Sequence, residues 1–445
     1  MIETSEYLNN ELYKNILDFK LNLDVKSDNN LQDIFQNDNK FRELNLLSLD
    51  KFYFNIKNKK NIIMKEDYYF KEAKDIRHIL RIKKKIPTSI YKDTYDFLVS
   101  SNKDQIELIK NYNKVYIFRR YKNGNKDDPK NYRYFQNNSD QIKLICCYIK
   151  YIIDLVLKKD YINTDIFICK IKVGQNVKNC VDYAEDNTRT IDRLLLLDLI
   201  KAFDSVELKI LYKTLDNFFN RNILDEYLNY KNHILNMIFI ILYNREVYYE
   251  NKIINCNRGL PQGLPISNYI FTLFLSEIVY EWNIKAPKNI IEKLNIYVDD
   301  IYILFLNNNN NLNNIYTYNL IKHLDDYYLK INIDKCKMSK DLKLDLNFSI
   351  LNKFNTYLGL TFTRSLKDIL KIFEIHINKY NLKYNKNNTI YDVYYIFKYE
   401  KMNNIKKRSL NGWINYKFKH ILKNNNLNIL ELLEIILIES IKKIQ

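Results

Sequence analysis

The chain has 445 residues, of which 47% are hydrophobic and 14% aromatic, a composition that excludes a disordered protein. Its 70 Lys and Arg against 53 Asp and Glu give a net charge of +17, which fits a polyanionic partner, nucleic acid ahead of an anionic membrane; a Lys-rich surface without a special target is the plain alternative. Six cysteines without a C-x-x-C pair or a histidine at zinc-ligand spacing leave free thiols in a reducing compartment as the expectation.

Residues 1–105 are polar and rich in Lys and Asn, with short helical patterns such as "YLNNELYKNILDFKLNL", and read as an N-terminal helical extension. The first twenty carry no signal-peptide or transit-peptide pattern. No apolar run approaches the roughly 20 residues that span a bilayer, so the expected setting is intracellular, cytoplasmic before organellar or viral, with no membrane partner. From Lys114 the texture changes. "KVYIFRRY" has period-two apolar residues, and with the polar turn "KNGNKDDPKN" and "YRYF" it predicts a hairpin carrying Arg119, Arg120, Lys122 and Arg133. "IKLICCYIKYIIDLVL" has helical spacing. In "RLLLLDLIKAFDSV", Leu194–Leu197 form a short buried strand ending on Asp198, and a helix is expected to start near Ser205. An acid at the C-terminal tip of a buried strand is a common place for a site residue; Asp204 is better placed as a helix cap. "REVYYENKIINCN" reads as a second hairpin.

Asn, Lys, Ile and Tyr saturate the chain, as in "NNNNNLNN" at 307–314. Their codons are AT-rich, so a base-composition bias weakens inference from Lys and Asn and sharpens it for Gly and Pro. An average composition would give about 31 glycines; this chain has six. Gly259 and Gly263 share the heptapeptide "GLPQGLP" with two of the five prolines. Such a concentration points to backbone that needs positive φ or a close approach, with a rigid turn before a helix as the alternative. The helix that follows carries Ile270, Phe271, Phe274, Leu275, Ile278, Val279 and Trp282 on one face. Then comes "LNIYVDDIYILF", Leu294–Phe305, whose pattern predicts two strands joined by a tight turn with Asp299 and Asp300 at the tip.

Burying one carboxylate without a partner is costly, and burying two side by side is worse. If the strand ending on Asp198 neighbours the acidic hairpin, three carboxylates converge, and divalent cations would make the cluster tolerable at neutral pH. All-oxygen ligation suits Mg²⁺, which also brings phosphates. Two such ions stabilise the attacking and leaving oxygens of a phosphoryl displacement. With the basic hairpin and the net charge, this points to nucleotidyl transfer on nucleic acid.

At this point the residues resemble those of reverse transcriptases, in motif order. "DLIKAFDSV" looks like motif A, "RGLPQGLPIS" like motif B, "YVDD" like motif C, "KINIDKCK" like motif D and "FNTYLGLTF" like the primer grip. "KNGNKDDPKNYR" resembles the fingers hairpin, "FICKIKVGQNVKNCV" the segment before motif A, and "RSLNGWINYK" a thumb helix of group II intron and related bacterial enzymes. The texture of motif B is similar to intron, non-LTR and bacterial enzymes. The resemblance implies an α+β right-hand polymerase. It would have an extension at 1–105, fingers and an antiparallel palm sheet packed on helices at 106–362, and a short helical thumb at 363–445.

It also implies roles. Asp198 and Asp299 would ligate two Mg²⁺ ions, with Mn²⁺ as a substitute, and Asp300 would support or ligate one. Phe203 would be the steric gate against a ribose 2′-OH. Gln262 would contact the incoming dNTP and Gly263 would let the backbone approach the template. Arg133 with Lys122, or with Arg119 or Arg120, would hold the triphosphate. Lys335 would protonate the pyrophosphate, the alternative being a solvated lysine. Tyr357, Leu358 and Gly359 would form the primer grip. Gly412 and Trp413 would sit in the thumb, Trp413 either functional or simply packed. Partners would be an RNA template, a DNA or RNA primer and dNTPs, with the oligomeric state left open. A template-independent or protein-primed DNA polymerase of the phage-defence type, an RNA-dependent RNA polymerase and a catalytically idle RNA-binding scaffold are the rival readings.

Overall fold

The structure is a computed structural model; it describes residues 97, 102–121, 127, 132–158, 167–168, 193–249, 252–255, 258–285, 290–306, 309–352, 355–357, 360–361, 366–384, 387–399 and 405–444. Most of the 1–105 extension, Lys122, Leu358, Gly359 and nearly all of the segment before Asp198 lie outside them. The class is α+β, as the sequence indicates. The chain forms two compact units, one of residues 1–161 and 203–277, the other of residues 162–202 and 278–445. Among the described residues no helix is long and apolar enough to cross a membrane.

In the first unit, the expected fingers hairpin forms: Lys114–Tyr121 pairs antiparallel with Tyr132–Asn137. The second expected hairpin, Glu246–Tyr249 with Lys252–Asn255, also forms. The two join into one sheet because Lys114–Tyr116 runs parallel to Glu246–Tyr248. Val115 and Val247 face each other across that junction, both fully buried. Helices close that face. The helix Asp140–Val156 begins at Ser139, whose hydroxyl accepts from the Ile142 amide at 3.3 Å. It buries Ile142, Ile145, Ile149, Ile152 and Ile153 at helical spacing. The helix Lys231–Tyr243 is apolar nearly all round and sinks into the core. Its last carbonyls need donors that the helix cannot supply. Buried Asn113 donates its side-chain amide to Ile241 O at 2.9 Å and Asn244 O at 3.0 Å, which ties the helix end to the start of the sheet.

In the second unit a six-stranded sheet runs in the order Ser349–Ile350, Lys337–Met338, Leu194–Leu197, Asp300–Phe305, Ile291–Tyr297, Phe167–Ile168. The central strands are continuous apolar runs, as expected for strands covered on both faces. The helix Asn310–Asp326 starts on Asn309, which accepts from the Leu312 amide at 3.3 Å, and packs Tyr316 edge-on against Trp282 at 4.3 Å.

Four helices follow, Ile369–Tyr384, Ile390–Tyr399, Ile405–Asn424 and Ile429–Ile444. Two of them open on reciprocal caps. Thr389 and Asp392 exchange hydrogen bonds at 2.6 and 3.3 Å, and Asn428 and Glu431 at 2.7 and 3.0 Å. Their shared core includes Phe373, Leu410, Ile414, Phe418, Leu432 and Ile436. Trp413 packs into it, with ring centroids 6.1 Å from Phe373 and 5.2 Å from Tyr380. Those contacts are what the packing reading expects. A Cβ on Gly412 would meet nothing within 4 Å, so no backbone or packing demand explains glycine there.

Candidate active site

The strand Leu194–Leu197 pairs antiparallel with Asp300–Phe305, Leu197 opposite Ile301. The next residue on that strand is Asp198, level with Asp300. Asp300 in turn pairs with Tyr297 across a turn of only two residues, Val298 and Asp299. The three acids therefore stand at one end of adjacent strands, as the sequence pattern requires. The turn is strained: Val298 has φ 57°, a region β-branched residues avoid. Such strain costs on the order of 1–3 kcal/mol and is held only where the surroundings over-determine it. Here the surroundings are two strands that pair tightly down to the turn.

The segment 330–337 is latched onto the tip of the first strand. Ile200 N donates to Lys330 O at 2.7 Å, Leu199 bridges Ile331, and Asn332 N donates to Asp198 O at 2.7 Å. Cys336, fully buried, receives the Asp198 amide on its sulfur at 3.5 Å. Lys335 projects outward and places Nζ 3.2 Å from Asp198 Oδ2, its side chain 65% exposed against 21% for the aspartate. Sequence reasoning picked out Lys335 and missed Cys336 and Asn332. Their only signal was membership in the same octapeptide, because both act through main-chain contacts with a residue more than 130 positions away.

The electrostatics follow from this crowding. Burial, then the negative charge of Asp299, then that of Asp198, push the Asp300 carboxyl up to about 7, and the Lys335 ammonium pulls it part of the way back. A cluster in that condition calls for positive charge, and its donors are all carboxylate oxygens, the set that hard divalent cations take. Among the described residues no three His, Cys, Asp or Glu side chains form a ready-made metal cage. Mg²⁺ does not need one: it is held by one or two carboxylates with substrate phosphates and water completing the shell. The acids fit such an ion.

In the first unit the "GLPQG" turn is stitched in place. Gly259 N donates to Val206 O at 2.7 Å and Leu260 N to Phe203 O at 2.8 Å. Gln136 N donates to Gln262 O at 2.8 Å. Gly259 has φ 84°, and a Cβ there would lie 3.2 Å from Asp204 Cα; Gly263 has φ 112°, and a Cβ there would lie 2.8 Å from Gln136 O. Gly263 thus runs close to a neighbouring strand of the same chain. Buried Arg245, which sequence reasoning did not single out, donates to Leu242 O at 2.8 Å and to Gly259 O at 3.2 Å, pinning the turn to a helix end. These contacts also displace the expected helix start near Ser205. A short helix spans Ala202–Ser205, Glu207 leaves the helix to bridge Arg258, and the long helix begins at Leu208. Phe203 stacks its ring on Phe271 at 4.8 Å and is half-buried. Gln262 is half-buried, and Arg133 is exposed on its strand, directly opposite Arg120. The hairpin Thr356–Tyr357 with Leu360–Thr361 forms where the primer grip is expected, and its turn residues Leu358 and Gly359 lie outside the described residues.

The reverse transcriptase (RNA-dependent DNA polymerase) family matches residues 122–389, more than half of the chain. No curated protein matches significantly. Among solved structures, apo telomerase from Candida Tropicalis truncated from C-terminal domain aligns at TM-score 0.35 and 14% identity, over 51% of this chain and 50% of that one. The chain thus spans about half of that structure's length. From the family match, the chain belongs to the reverse transcriptases.

Proposed function

We propose that the chain makes DNA on an RNA template by two-metal transfer of a nucleotidyl group from a dNTP to a primer 3′-OH. The observation that carries this reading is the antiparallel pairing that sets Asp198 level with the Asp299–Asp300 turn. Asp198 and Asp299 would hold the metal ions and Asp300 would support them. When bound, Mg²⁺ or Mn²⁺ would supply the positive charge that the triphosphate and the reacting oxygens need. The chain's own part is positioning and charge. Lys335, already hydrogen-bonded to Asp198, keeps an ammonium proton at Nζ for the departing pyrophosphate. Arg133, with Lys122 or Arg120, would grip the triphosphate. Gln262 would meet the nucleotide, and the Phe203 ring, braced on Phe271, would exclude a 2′-OH. Tyr357, Leu358 and Gly359 would steady the primer end.

The test is primer extension on poly(rA)/oligo(dT) with Mg²⁺, with dNTPs and NTPs in competition. Wild type should extend with dTTP and Asp299→Ala should not. Equal incorporation by the two would remove the acids from the mechanism. Mass spectrometry of the purified protein tests the protein-primed rival, which requires a covalently attached nucleotide.

A further inference from the structure

Arg245 is 6% exposed and sits just past the end of the helix Lys231–Tyr243. Its guanidinium spreads its donors in three directions. Nε donates to Leu242 O at 2.8 Å, Nη2 to Gly259 O at 3.2 Å, and Nη1 to the side-chain oxygen of Gln136, Oε1, at 3.5 Å. Basic side chains commonly take up the last carbonyls of a helix, and the first bond needs no further reason. The other two reach away from the helix, to the two ends of the "GLPQG" turn. One holds Gly259 directly. The second holds Gln136, whose main chain grips the far end: Gln136 N donates to Gln262 O at 2.8 Å, and a Cβ on Gly263 would lie 2.8 Å from Gln136 O. Gln136 O is itself fixed by Asn138, 4% exposed, which donates Nδ2 to it at 3.2 Å. Pro261 locks φ in the middle of the turn. One side chain thus ties both ends of the turn, and all of these groups belong to the first unit.

We propose that Arg245 is a positioning residue for nucleotide binding, acting through Gln136 on the placement of Gln262. The inference rests on the reading of Gln262 as a nucleotide contact. Both glycines of the turn have positive φ, so the turn has backbone freedom at each end unless something outside it supplies the constraint. Gln262 stands at the end tied through Gln136. A planar fork suits this task. Three divergent acceptors need three donors in fixed directions, which a lysine ammonium on a flexible stem does not supply. Without the fork, a shift of about 1 Å of the turn against the strand Tyr132–Asn137 is enough to weaken the hold on a nucleotide that must meet Gln262. The carboxylates that would hold the metal ions lie on other strands and keep their own pairing. The loss therefore falls on nucleotide affinity more than on the chemical step.

Steady-state primer extension by the full chain on saturating poly(rA)/oligo(dT), with dTTP varied, tests the proposal. Arg245→Met should raise the KM for dTTP about tenfold, with kcat within about threefold of wild type. Gln136→Leu keeps the main-chain bond to Gln262 and loses the Oε1 acceptor. It should raise KM by a smaller factor and add nothing in the Arg245→Met background, because the two substitutions remove one shared contact. Arg245→Lys keeps the charge, loses the fork and should behave as Arg245→Met does. Thermal melting separates position from folding: a merely structural arginine would lower the melting temperature and leave KM as it is, and that result would overturn the proposal. So would an unchanged KM in Gln136→Leu, a substitution at a half-buried strand position that the fold tolerates. Independent, multiplying effects of the two substitutions, or full rescue by Lys, would overturn it as well. A wild type that does not extend the primer removes the polymerase reading and this inference with it. A wild type that extends, with variants that match it in KM, removes this inference alone.

Discussion

Replacing Asp300 by Asn should stabilise the metal-free protein at neutral and alkaline pH. The Asp300 carboxyl sits at about 7, against an ordinary 3.8, chiefly because it is buried and then because Asp299 and Asp198 repel its charge. A raised carboxyl means that the folded state binds a proton that the unfolded chain releases. Stability therefore falls as pH rises through the interval between the two values, by up to 1.4 kcal/mol per pH unit, and levels off above the folded value. The full interval of about three units corresponds to ~4 kcal/mol at pH 8. Near pH 5 the penalty is under half of that, on the order of 1.5–2 kcal/mol. The amide carries no charge to lose, so the stability gap between Asp300→Asn and wild type should widen by ~2–3 kcal/mol from pH 5 to pH 8. For a unit of this size that is about 5–10 °C in melting temperature.

The assay is thermal melting of both proteins in EDTA across that range. A gap that stays constant with pH would refute the reasoning, because every other titrating group is common to the two proteins. Two further arms check the cause. Lys335→Met removes the ammonium that draws the carboxyl down, so the stability of that variant should fall more steeply with pH than wild type. Millimolar Mg²⁺ should narrow the gap at pH 8 by stabilising wild type, if the acids meet the ion as proposed.

At Gly263, Ala should cost more than about 2 kcal/mol in urea unfolding, because φ is 112° and the new methyl would lie 2.8 Å from Gln136 O. At Gly412, Ala should be neutral or stabilise by up to about 1 kcal/mol, since the site is open and helical; equal losses at both glycines would contradict the steric account. Phe203→Ala should raise incorporation of NTPs relative to dNTPs in primer extension, with an unchanged ratio removing Phe203 from sugar selection. Trp413→Ala should cost about 2–3 kcal/mol in unfolding, because its half-buried ring packs against Phe373, Tyr380 and Phe418; a loss of primer extension without a loss of stability would instead mark Trp413 as functional.

The acidic site was legible because its elements are local. Four leucines followed by Asp198, and two apolar runs meeting at Asp299–Asp300, each state their own strand and its end. Only their adjacency had to be inferred, and the cost of isolated buried carboxylates argues for it. Gly259 and Gly263 were legible for a different reason. In a chain where glycine is scarce, two within five residues mark a backbone no other residue can trace, and both have positive φ. At Gly412, outside any such cluster, nothing excludes a side chain. What stayed hidden was non-local. The break between Ser205 and Leu208 comes from Glu207 pairing with Arg258, a tertiary demand that overrides helix propensity. The parallel pairing of Val115 with Val247, which joins the two hairpins into one sheet, links strands more than 120 residues apart and leaves no periodic trace.

The latch at 330–337 shows most plainly why such contacts escape a linear reading. Its functional consequence is that a lysine with no remarkable neighbours in sequence acquires a defined position beside Asp198. That position is set by the main chain: Asn332 N bonds Asp198 O and the Cys336 sulfur takes the Asp198 amide, so the segment cannot shift without disturbing the aspartate itself. The ammonium is thus exposed at its tip but anchored at its base. The ion pair alone is worth little in water. In the proposed mechanism it would keep a proton donor beside carboxylates whose own charge is in excess, and that proximity is secured by buried backbone contacts, which salt and solvent do not weaken.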